Sequence, residues 1–409
     1  TLSPVVLSRG VLHAAGPYRC PVTRIRGRCV ATNYPPHGAF RGFGAPQTTF
    51  PYERQIEKLA RARGEDSFAI RRRLALRAGD STATGQVLGL SVGSDEVLDA
   101  VAAVAGHPPE RDGSNSNGAP VKRGRGYAFY FHGAGFTGSG EQRLAGKAAV
   151  VATTTGFEVR SSSTDIGQGV ITMFTQIAAG ALGVEASRIT VVDPSTAHVP
   201  DSGPTVASRT CMVVGGVIDR AGRALRERLE TWGRDHGMPG ASCDELGVIY
   251  ATQHGELAET VTYEPPPGIQ WDDSVDLDTY EITIDRCVQA VDVGKAINPN
   301  IVKGQIEGGT LQALGWAVIE NVIYKDGRVW NASMTNCIVP TFADAPDLET
   351  IIVEVPYPFG PSGAKGVGEI PMDGPAAAVA NAVHDALGVA FDTLPLSPES
   401  LARGLGGAS

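Results

Sequence analysis

The chain has 409 residues, 42% apolar and 19% charged, with a net charge of −9 at pH 7. That length allows two or three domains around a large core. The acidic balance, without any basic run, argues against a nucleic-acid surface, and no apolar stretch approaches the ~18 residues of a membrane span.

No signal peptide is recognisable, and the sequence opens on TLSPVVLSRG without methionine, as a fragment, a processed chain or one subunit of a larger assembly would. The six cysteines (Cys20, Cys29, Cys211, Cys243, Cys287 and Cys337) form no C-x-x-C pair. They indicate neither an iron–sulfur cluster nor a zinc site, and read as buried thiols in a reducing compartment, the cytoplasm.

In chain order, RIRGRCVATNY reads as extended. YERQIEKLARARG predicts a helix that stops at Gly64. DSFAIRRRLALRAG predicts a second, capped by Asp66 or Ser67 and ended before Gly79, and SDEVLDAVAAVAG a third from Ser94 to Gly106. Residues 106–126, rich in Gly, Pro, Ser and Asn, read as a linker between a region 1–105 and a longer region 127–409.

Strands alternate with helices beyond that linker. KAAVVATTTGFEVRSSST predicts a β-hairpin, and DIGQG precedes a helix with the apolar stripe Val170, Ile171, Phe174, Ile177, Ala178, Ala181 and Leu182. RITVVDPSTAHVP predicts a strand and loop, TCMVVGGVIDRAGRALRERLETWG a helix, YEITIDRCVQAVDVG a strand pair, GQIEGGTLQALGWAVIE a helix and LETIIVEVP a strand. DGPAAAVANAVHDALG predicts the last helix, with Pro375 in its first turn and Gly388 past its end. The pattern is α+β, with mixed sheets flanked by helices.

Four glycine-rich stretches read as turns that feed helix starts: DIGQG (165–169), DSGPTVASRT (201–210), VKGQIEGG (302–309) and GAKGVGEIPMDG (363–374). A helix start offers unpaired N–H groups and partial positive charge, and glycine lets backbone approach a ligand, so together they suit phosphate or pyrophosphate. Gln168, Thr205, Ser208, Thr210 and Gln305 add side-chain hydrogen bonds there. No stretch fits G-x-G-x-x-G after a strand, or a P-loop. In HGAFRGFGAPQ, Phe43 is as consistent with core as with an aromatic facing a cleft. Glu369, taken by itself, reads as a loop or capping acid.

Taken in order, AFRGFGAPQ, DIGQG, PDSGPTVASR, DVGKAINPNIVKGQIEGGTLQALG, NCIVPTFADAPDLE and GPSGAKGVGE resemble the molybdenum-binding part of the xanthine dehydrogenase / aldehyde oxidase family, the molybdenum hydroxylases, from about residue 8 to about residue 400. The resemblance implies the family's cofactor-binding fold and molybdenum held by molybdopterin or its cytosine dinucleotide. It also implies hydroxylation of an electrophilic C–H carbon of a heteroaromatic ring or an aldehyde, with oxygen from water.

By the same resemblance Glu369 is the base. It takes the proton of a metal-bound hydroxyl whose oxygen attacks carbon while hydride passes to a sulfido ligand. Arg41 and Ala207 place backbone beside the metal. Phe43, Phe136 and Thr137 face substrate. Cofactor contacts fall on Arg41, Gly42, Gly167, Gln168, Gly169, Thr205, Ala207, Ser208, Thr210, Gln305, Lys365, Gly366, Val367 and Gly368. Burial among glycines raises the pKa of Glu369 while the following helix start lowers it, so the residues fix no value.

The family's upstream glycine-rich segment, its glutamine at an oxo ligand, and its [2Fe-2S] and FAD modules have no counterpart in this sequence. The resemblance therefore implies either that the chain is a piece of a longer one or that the molybdenum-binding subunit is split in two, with the other half of that subunit, an iron–sulfur subunit and a flavin subunit as partners. The alternative is a non-catalytic or scaffold subunit of such a complex.

Overall fold

The computed structural model describes residues 3–35, 37–89, 91–105, 122–136, 140–264, 284, 286–333 and 335–405. The readings on 106–121, on Thr137 and on the first half of the strand pair (280–283) fall outside these residues.

Ser3–His13 is a helix (α1) absent from the sequence reading; it buries Arg9 and His13, four residues apart and so on one face. RIRGRCVATNY forms no strand, and Val30 within it is exposed, as is Val22 just ahead of it. Alternation favours a strand only where one face is buried and a neighbour completes the ladder; here the residues stay open to solvent. Ala45–Arg63 (α2) begins ahead of the predicted start and ends at Gly64, which takes φ 63. Ser67–Leu74 (α3) is capped by Asp66, whose carboxylate accepts the Ala69 N–H at 2.7 Å. Ser94–Ala105 (α4) keeps its predicted span. Cys20 and Cys29 are exposed rather than buried.

Gly140–Leu144 is a short helix (α5). Lys147–Thr153 (β1) and Gly156–Arg160 (β2) form the predicted hairpin, with Ala149 opposite Arg160. Val170–Leu182 (α6) buries its stripe except Ile171, which is exposed at the first turn. Ile189–Val191 (β3) pairs parallel with β2. A π-helical turn over Thr210–Val214 runs into Gly215–Asp235 (α7). Cys243–His254 (α8) carries a capping box in which Ser242 and Glu245 satisfy each other's N–H groups. Ser242→Ala is expected to cost about 1 kcal/mol, read as a lower urea midpoint; an unchanged midpoint would mean that the box adds nothing. Leu257–Thr262 (β4) completes the sheet order β3-β2-β1-β4. Phe157 from the sheet packs with Phe174, Ile218, Leu225 and Leu229 from the helices.

Arg286–Asp292 (β5) precedes Pro299–Val318 (α9). Asn298 accepts the Ile301 N–H at 3.2 Å and Pro299 opens the helix. VKGQIEGG therefore lies inside a helix and is not a turn. The Asn-Pro start sets the helix going upstream, and packing of α9 outweighs the low propensity of its glycines. Tyr324–Lys325 (β6) and Arg328–Val329 (β7) make a small hairpin, and Asp347–Val353 (β8) pairs parallel with β5. Pro375–Leu387 (α10) keeps Pro375 at its start and Gly388, at φ 70, past its end; Pro398–Gly404 (α11) follows. Phe50 of α2 shares a core with Leu314 of α9 and Ala376 and Val383 of α10. The fold is α+β. Among the described residues no helix is long and apolar enough to cross a membrane.

Candidate active site

The glycine-rich loop 363–368 ends at Glu369, and a single 3₁₀ turn over Ile370–Met372 joins it to α10. The Met372 N–H bonds the Glu369 carbonyl at 2.9 Å, so Glu369 and Asp373 stand four residues apart on continuous helical turns. Their carboxylates therefore share a face.

A segment from 122 to 136 runs along α10 toward that face. Added Cβ atoms at Gly124 and Gly126 would strike the Ala382 and Ala378 carbonyls, and one at Gly374 would strike the Tyr130 ring. Asn381 Nδ2 donates to the Tyr127 carbonyl at 2.9 Å. This contact register delivers His132 to the two acids. Its Nδ1 lies 2.8 Å from Asp373 Oδ2 and its Nε2 lies 3.2 Å from Glu369 Oε2. From α1, Arg9 donates to the carbonyls of Gly133 and Gly135, and His13 Nε2 accepts the Gly133 N–H at 3.1 Å.

The stretch 201–210 brings Ser208, whose hydroxyl donates to Glu369 Oε2 at 3.1 Å. Ala207 and Ser208 both hold positive φ, 56° and 51°, a conformation that side chains rarely adopt and that persists only where surroundings enforce it. Here the enforcing group is Arg209. It is fully buried, forks onto Glu141 (Nε to Oε1 2.9 Å, Nη2 to Oε2 3.0 Å) and donates to the Ser202 carbonyl at 2.6 Å. Glu141 Oε1 also accepts the Phe136 N–H at 2.9 Å, and the Ala207 carbonyl accepts the Gly135 N–H at 2.7 Å. One buried ion pair thus ties the Phe136 loop to the Ser208 loop.

Arg41 reaches the same place by its side chain: Nε donates to the Gly368 carbonyl at 2.5 Å and Nη2 to the Gln305 carbonyl at 2.9 Å. Gly42, Phe43 and Gly44 follow with φ of 91°, 53° and 106°. That tight turn leaves Phe43 half-buried and sets Gly42 over Asp373 Oδ1.

The remaining expected residues are placed less directly. In DIGQG the carboxylate of Asp165 accepts the N–H groups of Gly167 at 2.9 Å and Ile171 at 3.1 Å. The mouth of α6 already holds an anion, so this stretch offers a ligand the bare face of Gly167 rather than free helix N–H groups. Gln168 folds back, accepting the Ile166 N–H at 2.6 Å and donating to the Thr164 carbonyl at 3.0 Å. Gly169 packs on Ile301 at the start of α9. Thr205 accepts the Thr164 N–H at 2.9 Å, and Thr210 is half-buried at the start of the π-helical turn. Lys365 pairs with Asp292 at 2.5 Å, and Val367 packs with Val291, Val293 and Ile306.

Electrostatics set the state of the cluster. Burial works to raise the Glu369 pKa, but the hydrogen bond and charge of His132, with help from Arg9 and Ser208, hold it at about 2. Desolvation therefore does not win at this acid, the factor that the glycine-rich sequence suggested would raise it. Burial works to lower His132, yet Asp373 and Glu369 lift it to about 9. Burial raises Asp373 to about 6 in spite of His132. At neutral pH the site holds an ionised Glu369 beside an imidazolium. Both hydrogen bonds to Glu369 end on Oε2; among the described residues Oε1 accepts none.

Residues 101–266 and 273–346 match a family model described as a molybdopterin cofactor-binding domain, and residues 1–75 match a second model of the same description. The chain belongs to the molybdopterin cofactor-binding family of xanthine dehydrogenase and aldehyde oxidase type. It is 31% identical to a subunit of a probable xanthine dehydrogenase of Bacillus subtilis (strain 168), over 98% of this chain and 57% of that one. It is 30% identical to the aldehyde oxidoreductase of Megalodesulfovibrio gigas, over 97% and 45%. The solved quinoline 2-oxidoreductase of Pseudomonas putida 86 superposes with a TM-score of 0.86 at 28% identity, over 99% of this chain and 58% of that one. This member of the family thus spans about half the length of the curated relatives it matches.

The site fits the family's pterin-borne group on one structural count, bare backbone facing open space. An added Cβ would meet no described atom within 4 Å at Gly167, or at Gly304 and Gly308 on the exposed face of α9 beside Gln305. At Gly368 it would meet no described atom nearer than 3.5 Å. At Gly366, by contrast, it would run into the Ser208 carbonyl oxygen. Gly366→Val is therefore expected to destabilise the chain while Gly368→Val folds normally. Equal thermal midpoints for both would contradict that packing.

Sequence reasoning did not find His132, Asp373, Arg9, Glu141 or Arg209. The one local signal was spacing: Asp373 stands four residues after Glu369, and His132 opens the glycine-rich run that continues to Phe136.

Proposed function

We propose that this chain closes over a molybdenum-bearing pterin and supplies the base of a molybdenum-dependent hydroxylase. The reaction would hydroxylate an electrophilic C–H carbon of a heteroaromatic or aldehyde substrate. The observation that carries this reading is Glu369. It is ionised, fixed through Oε2 by Ser208 and His132, and, among the described residues, left with Oε1 unbonded beside the open backbone of Gly368.

The cofactor, when bound, supplies the oxidising metal centre and the water-derived oxygen. The chain supplies the rest. Glu369 Oε1 receives a proton from the reacting group. Ser208 and His132 prevent the carboxylate from rotating, which keeps Oε1 on the open side and makes the acceptor geometry pre-formed. Arg41 holds the Gly368 carbonyl, and so the loop that carries the base, against α9. Backbone at Arg41 and Ala207 is assigned to the metal's side. Gly42, Gly167, Gln168, Gly169, Thr205, Ser208, Thr210, Gln305 and 365–368 are assigned to the pterin or its cytosine dinucleotide form, and Phe43, Phe136 and Thr137 to substrate.

Heteroaromatic and aldehyde substrates are supported by relatives named quinoline 2-oxidoreductase, nicotine 6-hydroxylase large subunit and aldehyde oxidoreductase. Relatives named as subunits support partners. We assign these as the other half of the molybdenum-binding subunit, an iron–sulfur chain and a flavin chain, in the cytoplasm. The regions 1–105 and 127–409 are proposed as parts of two successive cofactor-binding domains.

Metal analysis of the native assembly tests the reading. Stoichiometric molybdenum with pterin fluorescence, and heavy oxygen from labelled water in the product, are expected. An assembly devoid of molybdenum would end it.

A further inference from the structure

Resting on Glu369 as the base, we propose that His132 is its positioning residue, an imidazolium that bridges Glu369 and Asp373 and sets the strength of the base. The bridge is built by three parts of the fold. His132 arrives on the segment that runs along α10, the two acids stand four residues apart on one helical face, and α1 closes the far side with Arg9 and His13. The His132 side chain is 2% exposed and those of Asp373 and Glu369 are 0% and 12% exposed. Water therefore screens the bridge little, and the charges answer to one another.

The geometry separates His132 from a merely space-filling histidine. His13, packed 5.4 Å from it ring to ring, has Nδ1 on the Arg9 carbonyl and its Nε2 accepting a backbone N–H, the pattern of a neutral ring. His132 instead places each ring nitrogen on a carboxylate, and with both carboxylates ionised both nitrogens are donors, which favours the cation. Arg9 Nη1, 3.4 Å from Nε2, is the one cationic group set against it among the contacts of the described residues. Among the described residues, Arg9 and His13 face His132 from α1, while Arg41 and Tyr52, from the loop before α2 and from α2, and Tyr130, from its own segment, act on the two acids. Asp373 Oδ1 is buried with no hydrogen-bond partner among the described residues, so Asp373 is bound chiefly by this one bridge.

The consequence is a coupled base. While His132 is protonated, Glu369 stays ionised far into acid and takes a proton reluctantly; the imidazolium also clamps Oε2 and leaves Oε1 as the acceptor. With the imidazolium gone, burial is the dominant influence left on Glu369 and its affinity for protons rises.

The test uses the native assembly with His132→Gln, Asp373→Asn and Glu369→Gln variants, each measured for turnover against pH and for thermal midpoint against pH. In His132→Gln the acid limb of turnover is expected to move up, with activity at pH 5 falling at least about tenfold further below its own maximum than in the parent. In Asp373→Asn the alkaline limb is expected to move down from about 9, because the imidazolium has lost its main attractive partner.

The thermal midpoints give a readout free of turnover. A histidine whose folded pKa is raised from 6.5 to about 9 contributes stability that is complete below 6.5 and is lost as pH rises through about 9. The midpoint gap between parent and His132→Gln should therefore be wide at pH 6 and shrink by pH 9.5. A gap that does not change with pH, together with superimposable pH profiles, would overturn the proposal. If His132→Gln does not assemble, the alkaline limb of Asp373→Asn decides: a downward move supports the bridge and an unmoved limb overturns it. Normal turnover in Glu369→Gln instead refutes the assignment of the base, whatever the histidine variants do.

Discussion

Glu369→Gln is expected to lower turnover of the native assembly by on the order of 100-fold or more, the usual scale for a positioned base. The amide keeps the size of the acid, and its oxygen still accepts from Ser208 and His132, 3.1 and 3.2 Å from the present Oε2. What it loses is proton affinity. Cofactor contacts drawn from glycine-rich backbone do not change, so molybdenum content should stay at the parent level. Loss of metal along with activity would make Glu369 a loading residue, and near-normal turnover would remove it from the chemistry.

The second large effect is on stability. Glu141→Ala should cost about 3–5 kcal/mol, because it strands the Arg209 guanidinium in the interior with its charge unpaired. Arg209 has no solvent-exposed surface to retreat to, and Glu141 itself is buried. The expected result is a large drop in the denaturant midpoint with little change in slope. A loss below about 1 kcal/mol would mean that water reaches Arg209. The same variant should loosen the site, since Glu141 also holds the Phe136 N–H while Arg209 supports the strained Ala207 and Ser208 turn. Glu141→Gln keeps a hydrogen-bond acceptor and should be milder, which separates lost charge from lost bonding.

Some elements were legible because their causes lie within a few residues. The Asp66 cap, the Gly64 stop, the stripe of Phe174, Ile177 and Leu182, and the Pro375 start with the Gly388 stop all appear where the sequence puts them. Others were legible in principle and missed, such as the Ser242 to Glu245 capping box and the Asn298-Pro299 start that draws 302–309 into α9. RIRGRCVATNY shows the opposite error, a strand-like pattern without a buried face to use it.

The sequence by itself determined the helix boundaries at Gly64, Asp66, Pro375 and Gly388, though not the end of α3, which comes at Leu74 rather than just before Gly79. It also determined the α+β alternation and, through its ordered glycine-rich motifs, the family and the loop that ends at Glu369. Only the tertiary structure decided what Glu369 is electrically. Its partners His132 and Ser208 lie 237 and 161 positions away, and they arrive through packing of one segment along α10 and through a buried Arg209–Glu141 pair. A local pattern fixes backbone shape because capping and periodicity act over a turn or two. Charge state follows from desolvation and from whichever groups the completed fold brings within a few ångströms, and at this site the imidazolium outweighs burial.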